Sequence, residues 1–161
     1  MQPFSHSQGP KVAISFFTNP YAVTRVLLAP SNECKWFIPK DSPLISPICH
    51  WMEAYLQKKV PSPLPIELPS LPSFTRSLLL LLKEISQPIT YQELANLLGH
   101  PKANRAVGNG CHRNPLPLLI PCHRVIGSGG KIGGFAFGKD VKYELLKFES
   151  PQLASDLLEG Y

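Results

Sequence analysis

The feature that most constrains this chain is a cluster of prolines near its middle. Five of the eighteen prolines fall within a dozen residues, at positions 61, 63, 65, 69 and 72. Proline fixes φ and removes a backbone N–H donor, so this spacing excludes a helix and favours an extended connector. We therefore predict a small domain over residues 1–70, with a proline-rich linker at about 61–72, and a second domain over residues 73–161.

Composition bounds the class of protein. The 161 residues are 43% hydrophobic and 17% charged, a balance that supports a globular core without disulfides or a structural metal. The longest aliphatic run, Leu78–Leu82, is too short to span a bilayer, and no charged segment followed by a long apolar stretch opens the chain. We expect no membrane span, no secretory signal, four free cysteine thiols, and a cytoplasmic protein, or a nuclear one in a eukaryote.

Positive charge is concentrated in one segment. The chain carries a formal net charge of +5, and residues 91–134 hold five basic side chains against one acidic. Such a segment suits a polyanion such as nucleic acid, although a solvated basic surface is the alternative interpretation.

Before the linker, the pattern favours a small α/β domain. Val12–Phe17, Val23–Ala29 and Lys35–Ile38 are rich in β-branched and aromatic residues and predict three strands. Apolar residues at helical spacing predict a helix over about Ile48–Lys59.

After the linker, the pattern is mainly helical. Phe74–Ile85 predicts a buried helix with Ser73 as its N-cap, and the capping box Thr90–Glu93 predicts a short helix over 91–98. A second short helix is expected over Lys102–Cys111, with Pro101 in its first turn. It should bury Ala103, Ala106 and Val107 and expose Arg105. Two short helices joined by a tight turn are typical of a helix-turn-helix.

The segment with the most chemical potential surrounds Cys122. A thiolate is the nucleophilic form of cysteine, and the neighbouring cations His123 and Arg124 are expected to lower the pKa of this thiol. An inert buried cysteine is the alternative, and adjacency alone leaves His123 dependent on a bridging water. Farther along, Lys139–Glu149 predicts an amphipathic helix whose Glu149 either is a surface charge or reaches back to a histidine.

Three Cys-His pairs raise the question of a metal. Cys49-His50, Cys111-His112 and Cys122-His123 supply six potential ligands, but none has the spacing of a zinc knuckle. We therefore predict no metal and no cofactor, and keep a zinc or redox protein as a rival hypothesis.

The motifs together resemble one family. Pro121–Val125, the preceding Asn114-Pro115, Arg105–Gly108 and Thr90–Ala95 are similar in sequence and order to the methylated-DNA–protein-cysteine methyltransferases, the O6-alkylguanine-DNA alkyltransferases. The resemblance covers Phe74–Glu149. It implies a small, ribonuclease H-like α/β N-terminal domain and a mainly α C-terminal domain with a helix-turn-helix.

The resemblance also implies an activity. Such a protein flips an O6-alkylated guanine, and in some cases O4-alkylthymine, out of double-stranded DNA and moves the alkyl group onto its own cysteine, here Cys122. His123 would be the base, acting through water and oriented by Glu149; Tyr91 would donate a proton or hydrogen bond to guanine, and Asn114 would brace the active-site turn. The resulting thioether allows one turnover per molecule, and we expect a monomer.

Further residues follow from the same resemblance. Arg105 would enter the base stack in the minor groove, and the small Ala103 and Ala106 would let the helix approach. The remaining expected DNA contacts are Lys102, Arg113 and Arg124, and the expected pocket residues are Pro117, Phe135, Ala136 and Phe137.

Two segments depart from the family pattern. The pocket loop reads Gly134-Phe135-Ala136-Phe137-Gly138, where the family usually has Gly-Tyr-Ser/Ala-Gly-Gly, and we expect Phe137 to narrow the pocket against benzyl-sized adducts. Cys111 adds a thiol to which no role is assigned. A non-catalytic lesion-binding protein is a second rival, and the presence of Cys122 argues against it.

Overall fold

The structure is a computed structural model that describes residues 1–159, with side chains through residue 157. The chain divides into two compact units, Met1–Pro69 and Ser70–Tyr161, and the break follows the fourth proline of the cluster. The last two residues of the predicted second domain, 160 and 161, lie outside the described residues.

The first unit is a four-stranded sheet with one helix. Its strands are β1 (Gln2–His6), β2 (Val12–Thr18), β3 (Val23–Pro30) and β4 (Cys34–Ile38), in the order β1-β4-β2-β3, followed by helix α1 (Ile45–Leu56). Strand β4 pairs antiparallel with β1 and parallel with β2. The predicted α/β character is confirmed. Strand β1 was not predicted because its side chains are almost all exposed and its sequence does not alternate.

Alternation explains the core of this unit. Val12, Ile14 and Phe16 are fully buried along β2, as the two-residue period of a strand requires. The loop between β1 and β2 approaches β4 and α1 so closely that a Cβ at Gly9 would lie 2.6 Å from the Cys34 sulfur and 2.7 Å from Leu56. Only glycine fits there.

The second unit is mainly helical, as predicted. It contains α2 (Ser73–Leu82), α3 (Tyr91–Leu97), α4 (Asn104–His112), α5 (Lys139–Glu149) and α6 (Pro151–Glu159). Two-residue strands β5 (Ile89–Thr90) and β6 (Val125–Ile126) pair in parallel and bring the start of α3 beside the segment that follows Cys122. Helix α5 has the predicted bounds, and α6 was not predicted.

Helix α2 corrects one predicted cap. Pro72 occupies the N-cap position and no side chain caps the helix, so Ser73 is the first helical residue and not the cap. The helix ends at Leu82, three residues earlier than expected. It buries one face at helical spacing, consisting of Thr75, Leu78, Leu79 and Leu82.

The capping box of α3 is confirmed, whereas the start of α4 is corrected. The Thr90 side chain accepts a hydrogen bond from the Glu93 backbone N–H at 3.1 Å. Pro101 lies in a turn before α4 and not in its first helical turn. Ala106 is exposed and Ala103 only half-buried, so their predicted burial is wrong.

The physical reason lies in the face through which α4 packs. Val107 and Gly110 are its buried residues, and a Cβ at Gly110 would lie 2.4 Å from the Leu78 side chain of α2. The buried face is centred between Val107 and Gly110, and Ala106 lies at the edge of this face, exposed to solvent.

Candidate active site

Cys122 lies at the floor of a cavity in the second unit. It begins a single turn of 3-10 helix, Cys122–Arg124, and is only 5% exposed. The cavity has a volume of about 510 Å³, and its walls come from α3, α4 and the glycine-rich loop that follows β6. The lining residues are Tyr91, Gln92, Asn104, Arg105, Gly108, Cys111, His112, Cys122, Gly127, Ser128, Lys131, Gly134, Phe135 and Ala136.

Asn114 holds the loop that leads to the thiol. Its buried side-chain amide donates to the Ile120 carbonyl at 2.8 Å, and its oxygen accepts from the Leu116 N–H at 2.9 Å. The loop turns tightly enough that Leu118 adopts a positive φ of 74°, a strained conformation for a branched side chain. The bracing position predicted for Asn114 is the position in which the structure places it.

His123 and Glu149 meet across 26 residues of sequence. His123 Nε2 lies 2.6 Å from Glu149 Oε2, and the imidazole is fully buried. Its other nitrogen, Nδ1, has no hydrogen-bond partner in the described chain. Of the two positions considered for Glu149, the structure therefore has the one that reaches back to a histidine.

Arg124 forms hydrogen bonds within its own unit. Its Nε donates to Glu149 Oε1 at 2.7 Å, and its NH1 donates to the Ile85 carbonyl at 2.7 Å. Both interactions hold the guanidinium against its own domain. Arg124 is thus hydrogen-bonded to Glu149 within the unit, and its contact with DNA stays a prediction.

The electrostatics of Cys122 differ from the expectation. Burial raises the pKa of the Cys122 thiol to about 11, while the Asn114 amide, the Lys142 ammonium and the backbone N–H groups of Cys122 and His123 favour the thiolate. The prediction that His123 and Arg124 lower this pKa is wrong, because both side chains are engaged with Glu149 and the thiol is desolvated. A resting thiol here is protonated near neutral pH.

Lys142, a buried residue close to the site, was not predicted from the sequence. Its side chain is fully buried, and Nζ donates to the Val125 carbonyl at 2.6 Å and the Gly134 carbonyl at 3.1 Å. Burial lowers the pKa of Lys142 to about 8. A signal was present, because Lys142 lies three and four residues before the buried Leu145 and Leu146 on the apolar face of α5.

Tyr91 stands at the start of α3, on the cavity wall. Burial, with the nearby thiols of Cys111 and Cys122, raises the pKa of the Tyr91 phenol to about 12. A Cβ at Gly133 would lie 3.0 Å from its hydroxyl oxygen, so the glycine loop passes directly over the ring. Tyr91 is thus a neutral hydrogen-bond donor beside the thiol.

Exposed basic side chains lie on and near the cavity lining. Arg105, His112 and Lys131 are exposed lining residues, and Lys102 and Arg113 are exposed at the two ends of α4. Gln92 fixes α3 to the start of α4, since it donates to the Pro101 carbonyl at 2.6 Å and accepts from Asn104 at 3.0 Å. His112 and Lys131 were not predicted as site residues.

Two of the four predicted pocket residues line the cavity, and two do not. Phe135 and Ala136 line the cavity, whereas Pro117 is buried in the loop before Cys122 and lies outside the lining residues. Phe137 also lies outside that lining and packs against Phe135, with 5.7 Å between ring centroids. The expectation that Phe137 itself narrows the cavity is therefore corrected, because its ring supports Phe135 instead.

All four cysteines are free thiols. Among the described side chains, residues 1–157, no cluster of three or more metal-ligating side chains occurs. The described helices also include none with the length and apolarity needed to cross a bilayer.

The sequence that forms this site is similar to that of known proteins. Residues 73–151 match the family model described as 6-O-methylguanine DNA methyltransferase, DNA binding domain. The chain is 50% identical over 78 residues to the methylated-DNA–protein-cysteine methyltransferase of Methanosarcina acetivorans, covering 47% of this chain and 50% of that protein. It is 46% identical over 91 residues to the Homo sapiens protein of the same name, covering 55% and 44% of the two chains.

Over residues 73–151, just under half of its length, the chain is similar to the methylated-DNA–protein-cysteine methyltransferases. It spans about half the length of these curated methyltransferases. Its fold is similar to the crystal structure of Mycobacterium tuberculosis OGT in complex with DNA, with a TM-score of 0.66, 26% identity, and coverage of 90% of this chain and 97% of that one. The mixed α/β fold of the methyltransferase family is thereby confirmed for this chain.

Proposed function

We propose that this chain repairs DNA by moving the alkyl group of an O6-alkylated guanine onto the sulfur of Cys122. The observation that carries the proposal is a buried thiol at the floor of a cavity, next in sequence to a histidine held by a carboxylate. Similarity to the methylated-DNA–protein-cysteine methyltransferases adds the substrate class. The partner would be double-stranded DNA, bound by a monomer.

His123 supplies the base for this reaction. Glu149 accepts the hydrogen bond from Nε2–H, which leaves Nδ1 as a hydrogen-bond acceptor, and that buried atom has no partner in the described chain. A water between Nδ1 and the sulfur would relay the thiol proton. Because the pKa of Cys122 is about 11, very little thiolate exists near neutral pH without such a base.

The alkyl transfer then follows in one displacement. The Cys122 sulfur attacks the alkyl carbon, the bond between that carbon and O6 breaks, and the electron pair remains on guanine. Tyr91 donates a proton or hydrogen bond to the guanine ring, a role suited to a phenol whose pKa is about 12. The thioether has no group beside it that would hydrolyse it, so each molecule acts once.

DNA would reach the cavity through the surface of α3 and α4. We propose that these two helices act as a helix-turn-helix in the minor groove and that exposed Arg105 occupies the space of the flipped nucleotide. Lys102 and Arg113 would contact phosphates, and Ala103 and the exposed Ala106 would permit close approach. The similarity in fold to the Mycobacterium tuberculosis OGT crystal structure in complex with DNA supports the proposal that this chain binds DNA. We propose that the first unit has a ribonuclease H-like fold, and we assign it no activity.

The cavity also bears on the range of substrates. Methyl adducts fit readily, and selectivity between larger groups would depend on Phe135 and Ala136, with Phe137 behind the first of these rings. O4-alkylthymine presents an alkyl ether of the same kind, and we propose it as a second substrate.

One experiment tests the proposal directly. The intact mass of the protein is measured before and after mixing with a duplex oligonucleotide that contains O6-methylguanine. We expect a gain of one methylene per molecule, absent in Cys122→Ala and retained in the control Cys49→Ala, which removes a half-buried thiol from α1. Tight lesion binding without any mass gain would instead support the non-catalytic rival.

A further inference from the structure

The cavity contains a second thiol. Cys111 lies in the last turn of α4, and it lines the same cavity as Cys122. The neighbouring Gly110 packs against Leu78 with no room for a Cβ, so this turn of α4 lies close against α2. The placement of Cys111 is therefore part of the way α4 packs on α2.

One residue connects the two thiols. The backbone N–H of Asn114 donates to the Cys111 carbonyl at 3.2 Å, while the side chain of Asn114 lies beside the Cys122 sulfur. Cys111 is half-buried and Cys122 is almost fully buried. A small molecule entering the cavity thus meets Cys111 first and Cys122 at the floor.

The charges of the pair limit its chemistry. Burial raises the pKa of Cys111 to about 12, and a thiolate at Cys122 raises it further in the same direction, while Lys142 opposes both effects. Two thiolates in this cavity are unfavourable. A ligand that removes both protons and leaves a neutral product avoids this electrostatic cost.

We propose that Cys111 and Cys122 together form a dithiol binding site for monosubstituted trivalent arsenicals. The two sulfurs displace the oxygen of an organoarsenic(III) oxide, two arsenic–sulfur bonds form, and the oxygen leaves with both thiol protons as water. Arsenic and sulfur keep their oxidation states, so no oxidant is required. The product is neutral, and its organic substituent lies in the cavity between Tyr91 and Phe135.

The probe for this site is phenylarsine oxide, added at equal concentration to the reduced protein. Native mass spectrometry should show one phenylarsenic group per chain with loss of one water. Because both sulfurs hold one arsenic atom, we expect the adduct to survive excess 2-mercaptoethanol and to be removed by dithiothreitol. Loss of one sulfur should weaken binding by about a hundredfold or more, as expected when a two-point attachment becomes single.

Variants separate this site from the other thiols. Cys111→Ser and Cys122→Ser should each lose the monothiol-resistant adduct, whereas Cys49→Ser should retain it. Cys111→Ala provides a second test if the serine variant does not fold, with circular dichroism as the check. An adduct that persists without Cys111, or a wild-type mass lower by two hydrogens, which indicates a disulfide, would overturn the proposal. None of these readouts requires alkyl transfer, so the proposed function is tested separately.

Discussion

The two units of the chain differ in what they bury. In Met1–Pro69, all of which the structure describes, no amide, imidazole or charged side chain is buried, and the core consists of residues such as Ile14 and Phe16. In the described part of the second unit, Thr75, Asn114, His123 and Lys142 are buried. Burial of polar groups is costly unless they are hydrogen-bonded. The contrast indicates that the second unit bears the energetic cost of burying polar groups, which the proposed reaction requires in fixed positions.

The largest effect is expected from His123→Ala. Loss of the base should slow methyl transfer by about 10²–10⁴-fold at neutral pH. Below the Cys122 pKa of about 11, the thiolate fraction rises about tenfold per pH unit, so the rate of the variant should rise with that slope. Single-turnover rates from pH 7 upward measure both, with the exposed His50→Ala as control. A variant rate independent of pH would contradict the assignment of His123.

Asn114→Ala should come next. The substitution leaves the Leu116 N–H without its partner, whereas the Ile120 carbonyl keeps the hydrogen bond from the Cys122 N–H; an orphaned buried group costs about 1–3 kcal/mol in the free energy of unfolding. Urea unfolding measures the loss. The matched control is Asn109→Ala, an exposed position on α4, which should change stability by less than about 0.5 kcal/mol. Equal effects of the two substitutions would break the comparison.

Lys142→Met should change how stability depends on pH. The pKa of Lys142 is lowered from 10.5 to about 8 in the folded protein, so between these values the unfolded chain binds more protons and the folded state gains stability as pH rises. The gain approaches about 1.4 kcal/mol per pH unit. The difference in unfolding free energy between wild type and variant should therefore grow from pH 8 to 10. The buried thiols act in the opposite direction in both proteins, since their pKa values are raised. A difference that stays constant with pH would show that the lysine is not desolvated.

The smallest effect belongs to the first unit. Ile14→Val removes one buried methyl group from β2 and should cost about 0.5–1.5 kcal/mol of stability. The single-turnover rate per folded molecule should stay unchanged, because no polar group of the site is touched. A rate loss comparable with that of His123→Ala would remove the distinction between the two units.

Local patterns explain what could be predicted from the sequence. Strands β2 to β4 follow from residue type and alternation, and the start of α3 follows from the Thr90 cap, because both depend on neighbouring residues. Cys122 could be identified as the candidate nucleophile for the same reason. The pairing of His123 with Glu149 came only from the family resemblance, since spacing alone left two positions open for that carboxylate.

Long-range packing explains what could not be predicted. The burial of Lys142 depends on carbonyls of β6 and the glycine loop, and the capture of Arg124 depends on Glu149 and Ile85. The exposure of Ala106 depends on which face of α4 packs against the rest of the unit, and that face contains Val107 and Gly110. In each case the deciding partner lies outside the local segment, and periodicity contains no information about it.

The joining of His123, Arg124 and Glu149 has a consequence for biosynthesis. During synthesis, Cys122 and His123 leave the ribosome together, but Glu149 follows 26 residues after the histidine. Until α5 is complete, the imidazole lacks the carboxylate that accepts its hydrogen bond in the folded chain. Under the proposed function, a nascent or truncated chain would therefore lack the oriented base. Each copy would become reactive only after α5 has folded, which would protect a protein that reacts only once.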